Sequence, residues 1–179
     1  MNVLNLPNSI TFIRIILLPI FVTALVYKRY EVALAVFIAA GISDALDGLM
    51  ARLTNQKTIL GAFLDPLADK FLMVTSYILF SVYGWIPTWL TIIVISRDLI
   101  VTLGWVLLSL IYGITGITPS LTGKAANTAQ LVLIGYILLS VNIKFALHPE
   151  TWMHWAVAVL TVSSGLQYVY RGLKQAGEK

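Results

Sequence analysis

Five aspartates stand inside stretches of the sequence that are otherwise apolar. The chain has only eight acidic residues in total, and the five are Asp44, Asp47, Asp65, Asp69 and Asp98. A carboxylate at the centre of a membrane helix costs roughly 2.5–3.5 kcal/mol on insertion scales, so such groups are expected to be paired, solvated or bound to cations. The default interpretation of acids in this setting is a functional site.

The first four acids form two pairs with helical spacing. Asp44 and Asp47 are three residues apart, and Asp65 and Asp69 are four apart, so each pair shares one face of an α-helix. A short polar turn at residues 53–58 predicts that the two helices are antiparallel neighbours. Four carboxylates that converge in a low-dielectric site need cations, and all-oxygen ligands favour Mg²⁺ or Mn²⁺. Two divalent ions would neutralise them, and two-metal sites of this kind act on phosphoryl groups.

The elements that must position these acids are membrane helices. Hydrophobic residues form 59% of the 179 residues and charged residues 11%, against about 25% charge in soluble domains. A chain of this size leaves much of its surface exposed, which excludes a water-soluble globule. We therefore expect one all-α integral membrane domain over residues 1–179. It would have a short interfacial N-terminal segment and six spans of about 20 residues, at residues 9–27, 32–53, 59–83, 87–112, 125–145 and 152–172.

The distribution of Lys and Arg predicts the orientation of these spans. One set of span ends is rich in cations, namely Arg14, Arg52, Lys57, Lys124, Arg171, Lys174 and Lys179. The other set carries Lys28, Arg29 and Lys144. The first set is expected to be cytoplasmic, with both termini inside and the acids near the cytoplasmic face of a bacterial inner membrane. The basic residues are not clustered in one stretch, so we expect no nucleic-acid partner despite the net charge of +4.

Residues 44–69 read D-x2-D-G-x2-A-R-x8-G-x3-D-x3-D. This pattern resembles the signature of the CDP-alcohol phosphatidyltransferase family of membrane lipid synthases. The chain length, the six spans and the N-terminal Leu6-Pro7-Asn8 extend the resemblance over nearly the whole sequence. The resemblance implies that the phosphatidyl group of CDP-diacylglycerol is transferred to an alcohol with release of CMP, by a membrane enzyme that is commonly a homodimer.

The resemblance also assigns roles to single residues. Asp44, Asp47, Asp65 and Asp69 would hold two metal ions, and Asp69 would also act as general base on the acceptor hydroxyl. The CDP moiety would contact Pro7, Asn8, Ser9, Gly48, Ala51, Arg52, Thr58 and Gly61. Several of these residues also have simpler interpretations. Asn8 or Ser9 could cap the first helix, Gly48 and Ala51 could allow close helix packing, and Arg52 could be an interfacial charge.

Two cations in the second half of the chain are candidates for the acceptor site. Arg97 lies beside Asp98 deep in the fourth span, where the two would form an internal ion pair or a wall of a polar cavity. Lys124 lies at the start of the fifth span and could meet the phosphate of an acceptor. The alternative for Lys124 is a positive-inside charge.

The identity of the acceptor depends on what surrounds these two cations. Phosphatidylglycerophosphate synthases typically show Arg-Glu followed by Leu-Arg in the fourth span, and Gly-Lys-x-Lys-Thr before the fifth. Here Gly104-Trp105 and Gly123-Lys124-Ala125-Ala126 replace the second Arg and the second Lys. Residues 95–98, with Lys124, Thr128 and Gln130, look more like eukaryotic-type cardiolipin synthases. Phosphatidylglycerol is therefore the expected acceptor, and glycerol-3-phosphate is the alternative.

A cation or proton carrier is the competing class, because intramembrane carboxylates also mark ion pathways. An ion pathway does not need Gly48, Arg52 and Gly61 at fixed offsets from the acids. The sequence therefore favours the enzyme.

Overall fold

In this computed structural model the chain forms six α-helices, and the described backbone contains no strand. The structure describes the backbone of residues 6–54, 59–112, 120–143 and 150–177, and the side chains of 14–43, 70–107, 110, 120–143 and 150–174. The predicted all-α fold with six long helices is confirmed. The helices are α1 (Leu6–Val26), α2 (Tyr30–Thr54), α3 (Ile59–Val82), α4 (Thr88–Tyr112), α5 (Leu121–Asn142) and α6 (Thr151–Gly177).

Helix ends depart from the predicted spans by a few residues where polar residues continue a helix. Helix α1 begins at Leu6, α5 begins at Leu121, and α6 runs on to Gly177. Leu53 and Thr54, the first residues of the predicted turn at 53–58, are the last residues of α2. The predicted spans were defined only by the length of each apolar stretch. A helix can extend beyond the hydrocarbon layer wherever its backbone N–H and C=O groups have hydrogen-bond partners.

The chain divides into two compact units. The first contains residues 1–79 and 138–146, in which α1 packs along α2. Its core includes Phe21, Leu25, Ala33 and Phe37, and the rings of Phe21 and Phe37 are 6.4 Å apart. Asn142, in the last turn of α5, donates its side-chain amide to the Tyr30 carbonyl oxygen at 3.0 Å. That bond ties the start of α2 to the end of α5 within this unit.

The second unit contains residues 80–137 and 147–179, in which α4 packs along α6. Leu90 and Val94 of α4, Leu133 of α5 and Val157 of α6 are buried. All five tryptophans of the chain belong to this unit: Trp85, Trp89, Trp105, Trp152 and Trp155. The rings of Trp89 and Trp155 are 4.9 Å apart.

Two helices end in the same hydrogen-bonding pattern. After α1, the N–H of Lys28 donates to Leu25 O at 3.0 Å and that of Arg29 to Ala24 O at 2.7 Å. After α3, Gly84 donates to Ser81 O and Trp85 to Phe80 O. These are Schellman motifs, in which one residue takes a left-handed conformation, with φ of 57° at Lys28 and 72° at Gly84.

The helices present apolar side chains outward. Ile16, Ile42, Val132 and Leu166 are all at least 56% exposed, which suits lipid as the surrounding solvent. Among the residues whose side chains are described, Thr88–Leu107 and Leu121–Asn142 are long and apolar enough to cross a membrane, and only 28% and 33% of an 18-residue apolar stretch within each are buried. Three shorter apolar stretches, 14–26, 30–43 and 70–82, lie in α1, α2 and α3.

Candidate active site

The four signature acids lie on two helices of the first unit. Asp44 and Asp47 are part of α2, and Asp65 and Asp69 are part of α3. The backbone is helical through all four positions, so each pair is separated by about one turn, as the prediction requires. The side chains of residues 44–69 lie outside the described residues. Their convergence and their binding of metal therefore stay predictions.

The residues predicted to hold CDP belong to the same part of the chain. Pro7, Asn8 and Ser9 are in the first turn of α1, Gly48, Ala51 and Arg52 are on α2, and Gly61 is in the first turn of α3. Their side-chain contacts lie outside the described residues, and Thr58 lies outside them entirely. One detail is wrong: Asn8 and Ser9 do not cap α1, because the helix already begins at Leu6.

Arg97 is the centre of the described polar structure in the second unit. The side chain is on α4, and the residue is only 8% exposed. Its Nη1 donates to Asp98 Oδ1 at 2.8 Å and to Asn127 Oδ1 at 3.1 Å, and its Nη2 donates to Ser164 Oγ at 2.7 Å. Asp98 is 5% exposed, so the predicted internal ion pair is confirmed. Arg97 Nε has no hydrogen-bond partner among the described residues.

Two glycines lie next to the Arg97 side chain. A Cβ at Gly123 of α5 would lie 3.5 Å from Arg97 Nη2 and 3.1 Å from Ser120 Oγ. A Cβ at Gly165 of α6 would lie 3.2 Å from Arg97 Cγ. The 3.5 Å separation is an ordinary contact, whereas the two shorter ones are tight, so a side chain at Gly123 would have to shift Ser120 and one at Gly165 would have to shift the stem of Arg97.

Asn127 and Ser164 are partners of Arg97 that were not predicted from the sequence. The sequence does contain a pattern that could have indicated these partners. Polar or small residues recur at positions 123, 127 and 130 on α5, and at 161, 164 and 168 on α6. These intervals of three and four follow one face of each helix. The structure buries Gln130, Thr161 and Ser164, and Gln130 Nε2 donates to Thr161 Oγ1 at 2.9 Å.

Lys124, the second predicted acceptor residue, is exposed in the first turns of α5. Ser120 caps this helix, because its Oγ accepts the N–H of Gly123 at 3.0 Å and its carbonyl oxygen accepts that of Lys124 at 3.1 Å. Thr122 Oγ1 also donates to Gln167 Oε1 of α6. The backbone that carries Lys124 is thus fixed while its ammonium group stays accessible.

Three positions that differ from phosphatidylglycerophosphate synthases have distinct surroundings. Gly104 is two turns from Arg97 on α4, and a Cβ there would lie 3.2 Å from Tyr168 Cε1. Trp105 is 43% exposed, about 80° around the helix from Arg97. Ala126, where those enzymes carry the second Lys, is fully buried. Thr128, by contrast, is exposed.

Residues 4–163 match the family described as CDP-alcohol phosphatidyltransferase, so the chain belongs to this membrane-embedded enzyme family. It is 37% identical to a probable phosphatidylglycerophosphate synthase of Mycobacterium tuberculosis, over 98% of this chain and 85% of that protein. It is also 35% and 32% identical to the CDP-diacylglycerol–glycerol-3-phosphate 3-phosphatidyltransferases of Bacillus subtilis and Escherichia coli. In both cases the match covers 92% of this chain and 93% of the other. The preference for an enzyme over a carrier is thereby confirmed.

Proposed function

We propose that the chain is a metal-dependent phosphatidyltransferase whose acceptor is glycerol-3-phosphate. The observation that carries this choice is the similarity, along nearly the whole chain, to bacterial proteins named for that acceptor or its product. This favours the alternative acceptor over phosphatidylglycerol, which the sequence analysis preferred. The lipid product would be phosphatidylglycerophosphate, and the leaving group would be CMP.

In the proposed reaction, the acceptor's hydroxyl oxygen attacks the phosphatidyl phosphorus of CDP-diacylglycerol. The bond between that phosphorus and the bridging oxygen breaks, and CMP leaves with that oxygen. Asp69 accepts the proton of the attacking hydroxyl, because a carboxylate within hydrogen-bond reach can act as a general base. The residues proposed to hold the CDP moiety are Pro7, Asn8, Ser9, Gly48, Ala51, Arg52, Thr58 and Gly61.

We also propose that Asp44, Asp47, Asp65 and Asp69 hold two divalent cations, Mg²⁺ or Mn²⁺. The chemistry of the donor set fits these ions, since they prefer carboxylate oxygens. The helical backbone at all four positions supports the pairing of the donors. When bound, the ions would supply positive charge to the pyrophosphate of the substrate and to the departing CMP.

The contacts of Arg97 support a role for this residue in binding the acceptor's phosphate. A guanidinium has five N–H donors, and the described residues accept hydrogen bonds from three of them. A phosphate is a suitable acceptor for the remainder. Tyr168 also has a buried hydroxyl with no hydrogen-bond partner among the described residues, and Lys124 adds an exposed cation.

One observation still favours phosphatidylglycerol as a second candidate acceptor. Ala126 is fully buried, so a methyl group occupies the interior position that carries the second Lys in phosphatidylglycerophosphate synthases. The loss of that cation weakens binding less for phosphatidylglycerol, whose phosphodiester carries one negative charge, than for glycerol-3-phosphate, whose phosphomonoester is a dianion. The matched full-length relatives nevertheless outweigh this single position.

The proposal places the chain in a bacterial inner membrane as a multi-pass protein and a homodimer. The apolar outward surfaces and the bacterial relatives support the membrane location. The Lys and Arg distribution supports an active site that faces the cytoplasm.

In the deciding experiment, one purified preparation is incubated with CDP-diacylglycerol and Mn²⁺ or Mg²⁺. Half of the samples receive glycerol-3-phosphate as the acceptor, and the other half receive phosphatidylglycerol. Mass spectrometry of the lipid product and the rate of CMP release are measured. We expect CMP release to depend on glycerol-3-phosphate and to yield phosphatidylglycerophosphate. Faster turnover with phosphatidylglycerol, yielding cardiolipin, would establish the second candidate instead.

A further inference from the structure

A groove lies on the surface of the first unit, where α1 ends and α2 begins. It is open to the surroundings, has a volume of about 680 Å³ and is lined by Pro19, Ile20, Thr23, Ala24, Tyr27, Arg29 and Val32. That volume is in the range of small-molecule sites in proteins, about 300–1,000 Å³. The lining is apolar apart from one hydroxyl, one phenol and a single charge, that of Arg29.

The backbone fixes Arg29 at this groove. Its N–H donates to Ala24 O at 2.7 Å, and its carbonyl oxygen accepts the N–H of Ala33 at 3.0 Å. Arg29 is therefore both part of the Schellman motif of α1 and the residue that starts the hydrogen bonding of α2. The preceding Lys28 takes a left-handed conformation to allow this, although a glycine would adopt it at lower cost.

The guanidinium of Arg29 is exposed, and it makes no ion pair with any residue whose side chain is described. Glu31, two residues further on, is exposed and does not pair with it either. An exposed cation in the lining of an apolar groove complements a molecule with an anionic head and a hydrocarbon tail. A phospholipid with a net negative head group has this chemistry.

This groove is separate from the proposed active site. Asp44 and Asp47 are 14 and 17 residues beyond Tyr30 on the continuous helix α2. At 1.5 Å per residue they lie roughly 20–25 Å along the helix from its first residue. A lipid in the groove would thus meet the membrane surface opposite to the signature acids.

We propose that the α1–α2 groove binds an anionic phospholipid, whose phosphate pairs with Arg29 and one of whose acyl chains lies against Pro19, Ile20 and Val32. The site is independent of CDP-diacylglycerol turnover. It would attach the α1–α2 hairpin to anionic lipids in preference to zwitterionic ones.

The test is native mass spectrometry of the full-length protein, released from nanodiscs that contain equal amounts of phosphatidylglycerol and phosphatidylcholine with the same acyl chains. Wild-type protein should retain phosphatidylglycerol in preference to phosphatidylcholine. In Arg29→Gln this retention should fall about fivefold, the factor expected when one cation is removed from an anionic interface. Thr23→Trp, which fills the groove and keeps the charge, should lower retention as well.

Two matched variants separate the groove from general surface charge. Lys28→Gln removes the neighbouring cation, which does not line the groove, and should retain phosphatidylglycerol as the wild type does. Arg29→Lys keeps the charge and should retain most of the lipid. Equal retention of the two lipids by the wild type, or unchanged retention in Arg29→Gln and Thr23→Trp, would overturn the proposal. Loss of a dimer in Thr23→Trp with unchanged lipid would also overturn it, since the occupant would then be a second copy of the chain.

Discussion

Arg97 shows how a charge is kept among apolar helices. Burying an unpaired ion costs several kcal/mol, and here Asp98 supplies the opposite charge while Asn127 and Ser164 supply neutral acceptors. Each neutral acceptor comes from a different helix, so the guanidinium links α4 to both α5 and α6. Removing one acceptor leaves a buried donor attached to a cation, which is more costly than losing a neutral pair.

We therefore predict that Ser164→Ala lowers the free energy of unfolding by about 2 kcal/mol, in the range for hydrogen bonds to charged groups. The measurement is denaturant unfolding of the purified protein in mild detergent. Ser163→Ala is the matched control, because Ser163 is exposed and donates only to Leu160 O within its own helix. Equal effects of the two substitutions would show that the bond to Arg97 contributes nothing.

At the acids, Asp69→Asn should lower CMP release from CDP-diacylglycerol by at least about 100-fold. The amide cannot accept the hydroxyl proton, and general-base catalysis contributes about 10²–10⁴-fold. Binding of CDP to the variant, measured in the same detergent, reports on the site separately. Glu150→Gln, at an exposed acid outside the signature, should keep the wild-type rate. Wild-type CMP release in Asp69→Asn would refute the role of Asp69.

Sequence reasoning identified Arg97 and Asp98 because charges are conspicuous in an apolar helix. It missed Asn127 and Ser164 because uncharged polar residues occur in membrane helices for several reasons, including close packing. Their role depends on which faces of α5 and α6 meet α4, and periodicity within one helix does not specify the partner. The convergence of the four signature acids remains a prediction of the same kind, from the spacing alone.

At the scale of the elements, the two Schellman motifs form a natural comparison. Both end a helix with one left-handed residue, but Gly84 has no Cβ to strain the conformation whereas Lys28 does. At Gly84 the flanking residues also make a ring contact, since the rings of Phe80 and Trp85 lie 5.2 Å apart.

Lys28→Gly should accordingly stabilise the protein by up to about 1 kcal/mol, because a left-handed residue other than glycine costs about 1–2 kcal/mol and glycine loses part of that gain as chain entropy. Gly84→Ala should destabilise it by about 1 kcal/mol for the converse reason. Thermal unfolding of the two variants and the wild type measures the direction of each change in stability. A shift in the same direction in both would show that backbone conformation does not decide the effect.

The limits of helix prediction are visible at α5. The sequence predicts a fifth span over residues 125–145, with Lys124 at its start. The helix instead begins after Ser120, whose side chain caps it. Apolar length defines where a span can lie, whereas capping chemistry decides where the helix begins.

On the scale of the whole molecule, the chain has no cysteine, so introduced thiols give a clean test of membrane topology. Helix α6 has 27 residues and a length of about 40 Å, more than the roughly 30 Å hydrocarbon core. A membrane-impermeant maleimide should label Glu150→Cys from outside intact cells, and Lys174→Cys only after permeabilisation. Labelling of both positions from one side would mean that α6 does not span the membrane.

The sequence predicts one domain over residues 1–179, whereas the structure divides the chain into two compact units. The family match at residues 4–163 runs through both compact units. Helix α3 continues from the first unit into the second at Leu79, and α5 returns to the first at Leu138. Sequence periodicity marks each helix but carries no information about which helices group together, so the two units could not be predicted.

The placement of every indole ring in the second unit makes intrinsic fluorescence a one-sided reporter. Tryptophan emission reports on residues 80–137 and 147–179 and does not report on the α1–α2 hairpin. Far-ultraviolet circular dichroism reports on all six helices. Superimposable melting curves from these two optical signals would indicate a single cooperative transition. Separate midpoints would show that the hairpin loosens on its own.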